Sequence, residues 1–386
     1  MSEVSVNRLV EFVKHYYGTN EFIPLHAPVF KGSEKAYVAS TIDSTFVSSV
    51  GEFVNRFEQD MAAYTGTEAA VATVNGTAAL HVSLRLAGVS PGDLVITQAL
   101  TFVATCNAIR YCNAEPLFID VDEATLGLSP AALESWLEQF ASVNESEECV
   151  DRASGRKISA CMPMHTFGHP ADLAGLLRVC EEWGIPLVED AAESLGSFFH
   201  GRHTGSFGKL AAVSFNGNKI ITTGGGGMIL CDAETGRRAK HLTTTAKKPH
   251  PYEYVHDEVG FNYRLPNINA ALGVAQMEQL SGFLAEKRNL AGEYRQLLKD
   301  TEFQFVDEPD GCRSNFWLNA VLCPDQSSRD HLLELTNASN VMTRPVWQLM
   351  CDLPMYAHCT RGDLRISRSI AERLVNLPSS VKPVQK

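Results

Sequence analysis

The chain has no cysteine pair spaced C-x-x-C, no apolar run long enough to cross a bilayer, no internal repeat, and fewer positive than negative charges. These shortages exclude several classes of protein. Its 33 lysines and arginines against 45 aspartates and glutamates leave a net charge of −12, which argues against a general nucleic-acid surface. The same field repels anions, so an anionic ligand has to be held by donors placed beside it. Scattered singly, with no signal peptide before them, the ten cysteines read as reduced thiols of a cytoplasmic protein. No membrane partner is expected.

What is present is an ordinary globular composition, 45% apolar and 20% charged, over 386 residues, enough for two domains. Residues 1–30 read as an N-terminal arm that opens with an amphipathic helix carrying Leu9, Val10, Phe12, Val13, Tyr16 and Tyr17 on one side. Residues 31–245 read as a large α/β domain. It starts with a helical region interrupted at 45–51. Strand-sized apolar runs at 69–74, 94–97, 116–119, 158–162, 186–188, 210–215 and 228–231 then alternate with helical patterns. That alternation predicts βαβ units and a mainly parallel sheet flanked by helices. The polar stretch 144–157 reads as a surface excursion. Residues 246–386 read as a linker with a loop at 247–251, one long helix over 267–299 and a smaller C-terminal α/β domain.

The chemistry is organised around Ser214-Phe215-Asn216-Gly217-Asn218-Lys219 and the threonines and four glycines that follow it. The strand run breaks at Asn216-Gly217-Asn218, residues that tolerate positive φ, and presents Lys219. A single lysine on a strand-end turn, with side chains cleared behind it, suits an amine that forms a Schiff base with a bulky planar cofactor. Asn75-Gly76-Thr77, between a strand and a helix, offers N–H groups, a hydroxyl and a helix dipole to a phosphate. Asp190 ends a buried strand, where it can pair with a protonated ring nitrogen and keep a heteroaromatic cofactor electron-poor. Phe102 offers an aromatic face. Read singly, each has a plain alternative: a surface turn, an N-cap, a core phenylalanine. No metal site is expected, because Gly168 and Pro170 disfavour the helix that would align His165 with His169. The glycine run precedes a strand, so it is no dinucleotide fingerprint, and Gly208-Lys209 lacks the rest of a phosphate loop.

In this order the motifs resemble those of the DegT/StrS-type sugar aminotransferases, enzymes dependent on pyridoxal 5'-phosphate (PLP). The resemblance runs from Ile23-Pro24-Leu25 to Asn376-Leu377-Pro378. It is most specific at Glu189-Asp190-Ala191-Ala192, at Ser214-Phe215 with Lys219, and at Gly260-Phe261-Asn262-Tyr263-Arg264-Leu265. It implies the PLP-transferase (aspartate aminotransferase-like) fold, with Lys219 as the Schiff-base lysine and Asp190 on the pyridine nitrogen. It further implies Phe102 stacked on the ring, and Gly76, Thr77 and Ser214 on the phosphate. Asn262, with Arg264 beside it, matches a residue reaching the phosphate of the neighbouring subunit's cofactor, which implies a homodimer with shared active sites. Glu193 stands where many members carry a glutamine that contacts the ring hydroxyl. Some members replace the lysine with histidine and become dehydratases, so keeping Lys219 favours transamination.

Phe22-Ile23-Pro24-Leu25, the stretch from Ser44 to Gly51, and Gln98-Ala99-Leu100-Thr101-Phe102 resemble the branch acting on UDP-linked 4-keto-6-deoxy-N-acetylhexosamines in bacillosamine- and legionaminic-type pathways. The expected reaction moves an amino group from L-glutamate to the 4-keto carbon of UDP-2-acetamido-2,6-dideoxy-hexos-4-ulose, giving a UDP-4-amino sugar. Ser48, Ser49, His165 and Arg344 are the candidate substrate-side residues, with Lys247 and Lys248 as further candidates for the nucleotide. The alternatives are a GDP-perosamine-type or 3-keto-sugar aminotransferase, a non-catalytic PLP-binding regulator, and a purely structural α/β protein.

Overall fold

In the computed structural model, which describes residues 3–382, the opening helix α1 (Glu3–Tyr17) buries Val6, Leu9, Val10 and Val13. They pack against Leu290, Tyr294, Leu298, Val321 and Leu332, so the arm's helix completes the core of the C-terminal lobe. Helices α2 (Glu34–Asp43) and α3 (Glu52–Thr65) flank the irregular patch, and Gly66 stops α3 in the left-handed conformation at φ +71°.

The alternating region then runs β1 (Ala69–Thr73), α4 (Gly76–Ala87), β2 (Leu94–Gln98), α5 (Val103–Tyr111), β3 (Glu115–Ile119), α6 (Pro130–Phe140), β4 (Ala141–Val143), β5 (Cys149–Asp151), β6 (Ile158–Cys161), α7 (Leu173–Glu182), β7 (Val188–Asp190), β8 (Phe198–Phe199), β9 (Arg202–His203), β10 (Leu210–Ser214) and β11 (Gly227–Cys231). Short polar side chains start three of these helices. Asn75 caps α4, Ser129 caps α6 ahead of Pro130, and Asp172 caps α7, each accepting a backbone N–H from the first turn.

Strands β3-β2-β6 are parallel, and β7 and β10 are parallel. Parallel bridges Cys161–Leu187 and Met164–Asp190 join the two sets, giving the order β3-β2-β6-β7-β10-β11-β1. The sheet is mainly parallel, with one reversal: β11 runs antiparallel between β10 and β1. Every residue of β2, β6, β7, β10 and β11 is buried, because helices cover both faces. The carboxyl ends of β1, β2, β7 and β10 therefore share one edge, and the first residue of β11 meets them there.

Three expectations change. Stretch 144–157 is not a plain excursion, since β4 and β5 pair as a hairpin across it. Beyond α8 (Ala233–Thr243), the expected loop at 247–251 begins with β12 (Lys247–Lys248), which pairs with β13 (Val255–His256). The single long helix is two, α9 (Asn267–Met277) and α10 (Leu280–Leu298). At the break the Gln279 amide donates to the Glu34 carboxylate at 2.6 Å and to the Ala275 carbonyl at 3.0 Å, tying the kink to the start of α2. The C-terminal lobe carries an antiparallel sheet of Gln304–Phe305, Asn319–Leu322, Leu374–Leu377 and Arg344–Pro345, with helices Gln326–Ala338 and Arg365–Arg373. Among the described residues no helix is long and apolar enough to cross a membrane.

Candidate active site

The shared strand edge opens into a cavity of about 240 Å³ whose lining includes Gly76, Thr77, Phe102, Asp190, Glu193, Ser214 and Lys219. At one end Gly227 pairs with both Thr73 and Ser214, which brings the last residue of β10 against the first turn of α4. Two glycines make this approach possible. A Cβ on Gly227 would lie 2.5 Å from the Asn75 carbonyl, and one on Gly76 would lie 2.9 Å from Cβ of Ser214. Asn75 satisfies the Ala78 N–H at 2.8 Å, and among the described residues no acceptor takes the N–H of Gly76 or Thr77. Two helix-start donors beside the Ser214 hydroxyl form an anion cradle. Gly76→Ala is expected to weaken cofactor binding at least about tenfold by pushing Ser214 away, as measured by absorbance titration of the cofactor-free protein.

The turn after β10 carries Lys219 inward, its N–H bonded to the Asn216 carbonyl at 3.0 Å. Asn216, Gly217 and Asn218 do not use positive φ; Gly224 does, at φ +81°, where the chain doubles back into β11. The Lys219 side chain is 11% exposed. Its Nζ lies 3.3 Å from Oε1 of Glu193 and 3.9 Å from the centre of the Trp317 ring. Oε2 of Glu193 accepts the Phe167 N–H at 2.9 Å, so both of its oxygens are engaged. Burial raises the Glu193 pKa, while Lys219 pulls it down.

Asp190 also lines the cavity. Its Oδ2 accepts from the Thr105 hydroxyl at 2.7 Å, and Thr105 is in turn 2.7 Å from Thr101. Its Oδ1 accepts the Ala192 N–H at 3.2 Å. Burial pushes the Asp190 pKa up, against these hydrogen bonds and the nearby Lys219. Among the described residues no cation touches Asp190, and a buried carboxylate so placed is a site prepared for a positive partner. Phe102, 46% exposed and edge-on to Trp347 at 6.0 Å, forms part of the wall.

The substrate-side candidates lie elsewhere in this chain. His165 is a correction: it is fully buried, with Nε2 3.0 Å from Glu189 and Nδ1 accepting the Ala171 N–H at 3.1 Å. Glu189 also accepts the N–H groups of Gly205, Phe207 and Gly208. His165 therefore braces the strand beneath Asp190, with no ring nitrogen left for a substrate. Arg344 is exposed and bonds to Asn337 and to the Thr343 carbonyl, away from the cavity. Ser48 and Ser49 use their carbonyls to hold Asn267 and Arg264 and do not line the cavity. Lys247 and Lys248 are exposed, and Asn262 is exposed outside the cavity lining of its own chain. Missed from the sequence were Trp317, Trp347 and Thr105. Trp317 and Trp347 line the cavity from the C-terminal lobe, and tryptophan is rare here, with four in the chain.

An anion cradle, a half-exposed aromatic, an acceptor lacking a cation and an inward lysine around one cavity fit the phosphate, ring, pyridine nitrogen and aldehyde of pyridoxal phosphate. Fold and cavity together define a PLP-dependent aminotransferase. The chain belongs to the DegT/DnrJ/EryC1/StrS aminotransferase family, matching it over residues 28–384, and is thus a sugar aminotransferase that uses PLP. It is 36% identical over 363 residues to the GDP-perosamine synthase of Caulobacter vibrioides, covering 92% of this chain and 93% of that protein. It is 33% identical over 360 residues to the GDP-perosamine synthase of Escherichia coli O157:H7, covering 93% of each. Among solved structures it superposes on the aminotransferase TlmJ from Streptoalloteichus hindustanus with a TM-score of 0.83 at 29% identity, over 92% of this chain and 93% of that one.

Proposed function

We propose that this chain transfers the amino group of L-glutamate to the 4-keto carbon of a nucleotide-linked 6-deoxy sugar, UDP-2-acetamido-2,6-dideoxy-hexos-4-ulose, giving a UDP-4-amino sugar. The observation that carries the reading is one cavity lined by both an inward lysine and a buried aspartate. When bound, pyridoxal phosphate supplies an electron sink conjugated with the reacting nitrogen. The protein does the rest. Gly76 and Thr77 N–H groups and the Ser214 hydroxyl would hold the phosphate. Phe102 would lie against the ring, and Asp190, kept in place by Thr105, would hold a proton on the ring nitrogen. Lys219 Nζ would hold the cofactor aldehyde and serve as the acid–base group, taking the proton from the α carbon of the amino donor and delivering one to C4 of the sugar. Glu193, 3.3 Å away, orients that amine.

The motifs at 22–25, 44–51 and 98–102 support the UDP sugar. The likeness to two GDP-perosamine synthases supports a second reading, in which the same transfer acts on a GDP-linked keto sugar. Two copies of the chain are proposed to share their sites through Asn262, and large apolar side chains such as Phe46, Val50 and Tyr252 are left uncovered on a single chain. Product mass spectrometry with glutamate and matched UDP- and GDP-4-keto-6-deoxy sugars tests the substrate. At least about a hundredfold preference for the UDP sugar in kcat/KM is expected. The reverse preference replaces the first reading by the second, and no amino sugar from either removes both.

A further inference from the structure

Lys287 has no part in the mechanism above, yet it is the one lysine of α10 set among buried apolar positions. It follows Phe283 and Leu284 and precedes Leu290, Ala291 and Tyr294 at helical spacing, and it is 1% exposed. A buried lysine is expensive unless its hydrogens are used. Among the described residues no carboxylate meets it. Its Nζ donates instead to two backbone carbonyls, of Trp317 at 3.1 Å and of Ser379 at 2.5 Å. Burial pushes its pKa down to about 7. His26 lies near, both ring nitrogens buried without partners, and burial together with Lys287 and Lys219 holds its pKa well below the usual histidine range.

Trp317 is where this buried amine meets the cavity. Its carbonyl is held by Lys287, and its N–H donates to the Asn315 side chain at 2.8 Å. Its indole N–H donates to the Asn218 carbonyl at 2.7 Å, on the turn that carries Lys219, and its ring face lies 3.9 Å from Lys219 Nζ. Asn315 also donates to the carbonyls of Glu193 and Leu195. The segment 315–317 is therefore bonded to both neighbours of the reactive amine.

We infer that Lys287 is a positioning residue for amino transfer: by anchoring the Trp317 carbonyl it seats the indole on Lys219 and fixes the turn that aims Nζ. The inference rests on Lys219 being the proton carrier. A misplaced acid–base group costs rate although all groups are present.

In the cofactor-free protein, Lys287→Met is expected to raise amide hydrogen exchange at Lys219, whose N–H is bonded to the Asn216 carbonyl, about tenfold while β7 and β10 keep their protection. Trp317→Leu, which leaves Lys287 intact, is expected to give the same local rise, and it serves if Lys287→Met does not fold. With cofactor and substrates, both variants are expected to lose about tenfold in kcat, and Lys287→Met is expected to leave KM little changed. They are also expected to show a larger isotope effect from α-deuterated glutamate, because proton transfer becomes more limiting. The double variant should be no worse than either single, since both break one path. Unchanged exchange at Lys219, a uniform rise across the sheet, or additive losses would each overturn the inference. The exchange measurement needs neither cofactor nor sugar, so it fails separately from the aminotransfer reading, which fails if the unaltered chain makes no amino sugar.

Discussion

Lys219→Ala is expected to lower kcat about 10⁴-fold, the upper end of what a positioned acid–base group contributes. No other amine lines the cavity among the described residues. The nearest titratable groups cannot substitute. Glu193 keeps one oxygen on the Phe167 N–H after the lysine is removed, and Asp190 is bound by Thr105 and Ala192. The cofactor should still bind, because the cradle at Gly76, Thr77 and Ser214 does not depend on the lysine. Its spectrum should be that of a free aldehyde. Single-turnover measurement of each half-reaction, with methylamine added as a replacement base, is the check. Methylamine should restore part of the rate. A variant working within tenfold of the unaltered chain would remove Lys219 from the mechanism.

The second large effect is at Asp190. Asp190→Asn keeps size and shape but cannot act as the anionic partner of a protonated ring nitrogen. Each lost charge-assisted contact of this kind in a dry site is worth about 3–4 kcal/mol, so a loss of roughly 10²–10³ in kcat is expected. Phosphate binding remains, so cofactor affinity should fall far less than rate. A pH experiment on the cofactor-free protein separates this from damage to the fold. The folded pKa of Asp190 is raised, with burial the largest cause. Between the unfolded value and that raised value, the native state holds the proton more firmly than the unfolded chain does. The Asp190 contribution to stability therefore falls as pH rises through that window. The neutral amide of the Asp190→Asn variant does not titrate and lacks this fall. Without cofactor, that variant should be at least as stable as the parent near neutral pH, by thermal melting at several pH values. A variant that is both inactive and much less stable would assign Asp190 a structural role.

Much of the fold could be read because apolar runs and helical periods alternate cleanly from 69 to 231, and capping residues such as Asn75 and Asp172 fall where helices begin. The reversal of β11 could not be read, since a fully buried strand has the same composition in either direction. The β4–β5 hairpin was hidden by strands of three residues, too short to show alternation. The divided helix continued its apolar period across Glu278 and Gln279, and only a contact from distant Glu34 marks the break.

Motif residues of the candidate site follow strands or open helices, where local sequence carries the geometry. Thr105 reaches Asp190 and Trp317 reaches the cavity through tertiary packing, and nothing beside them in the chain announces it. Lys287 did leave a signal. A lysine in the apolar stripe of an amphipathic helix is either an error of register or a buried group with a task. His165 misled for the opposite reason. A histidine just after a strand end looks placed for a ligand, yet here the strand's own acid, Glu189, takes it.

Because the amine and the indole resting on it come from segments far apart in the chain, those segments are not interchangeable parts. A chimaera joining residues 1–245 to the C-terminal half of a relative would inherit a nucleophile from one parent and its roof from another. Recombination, in the laboratory or in a genome, would have to move Lys219, Lys287 and Trp317 together.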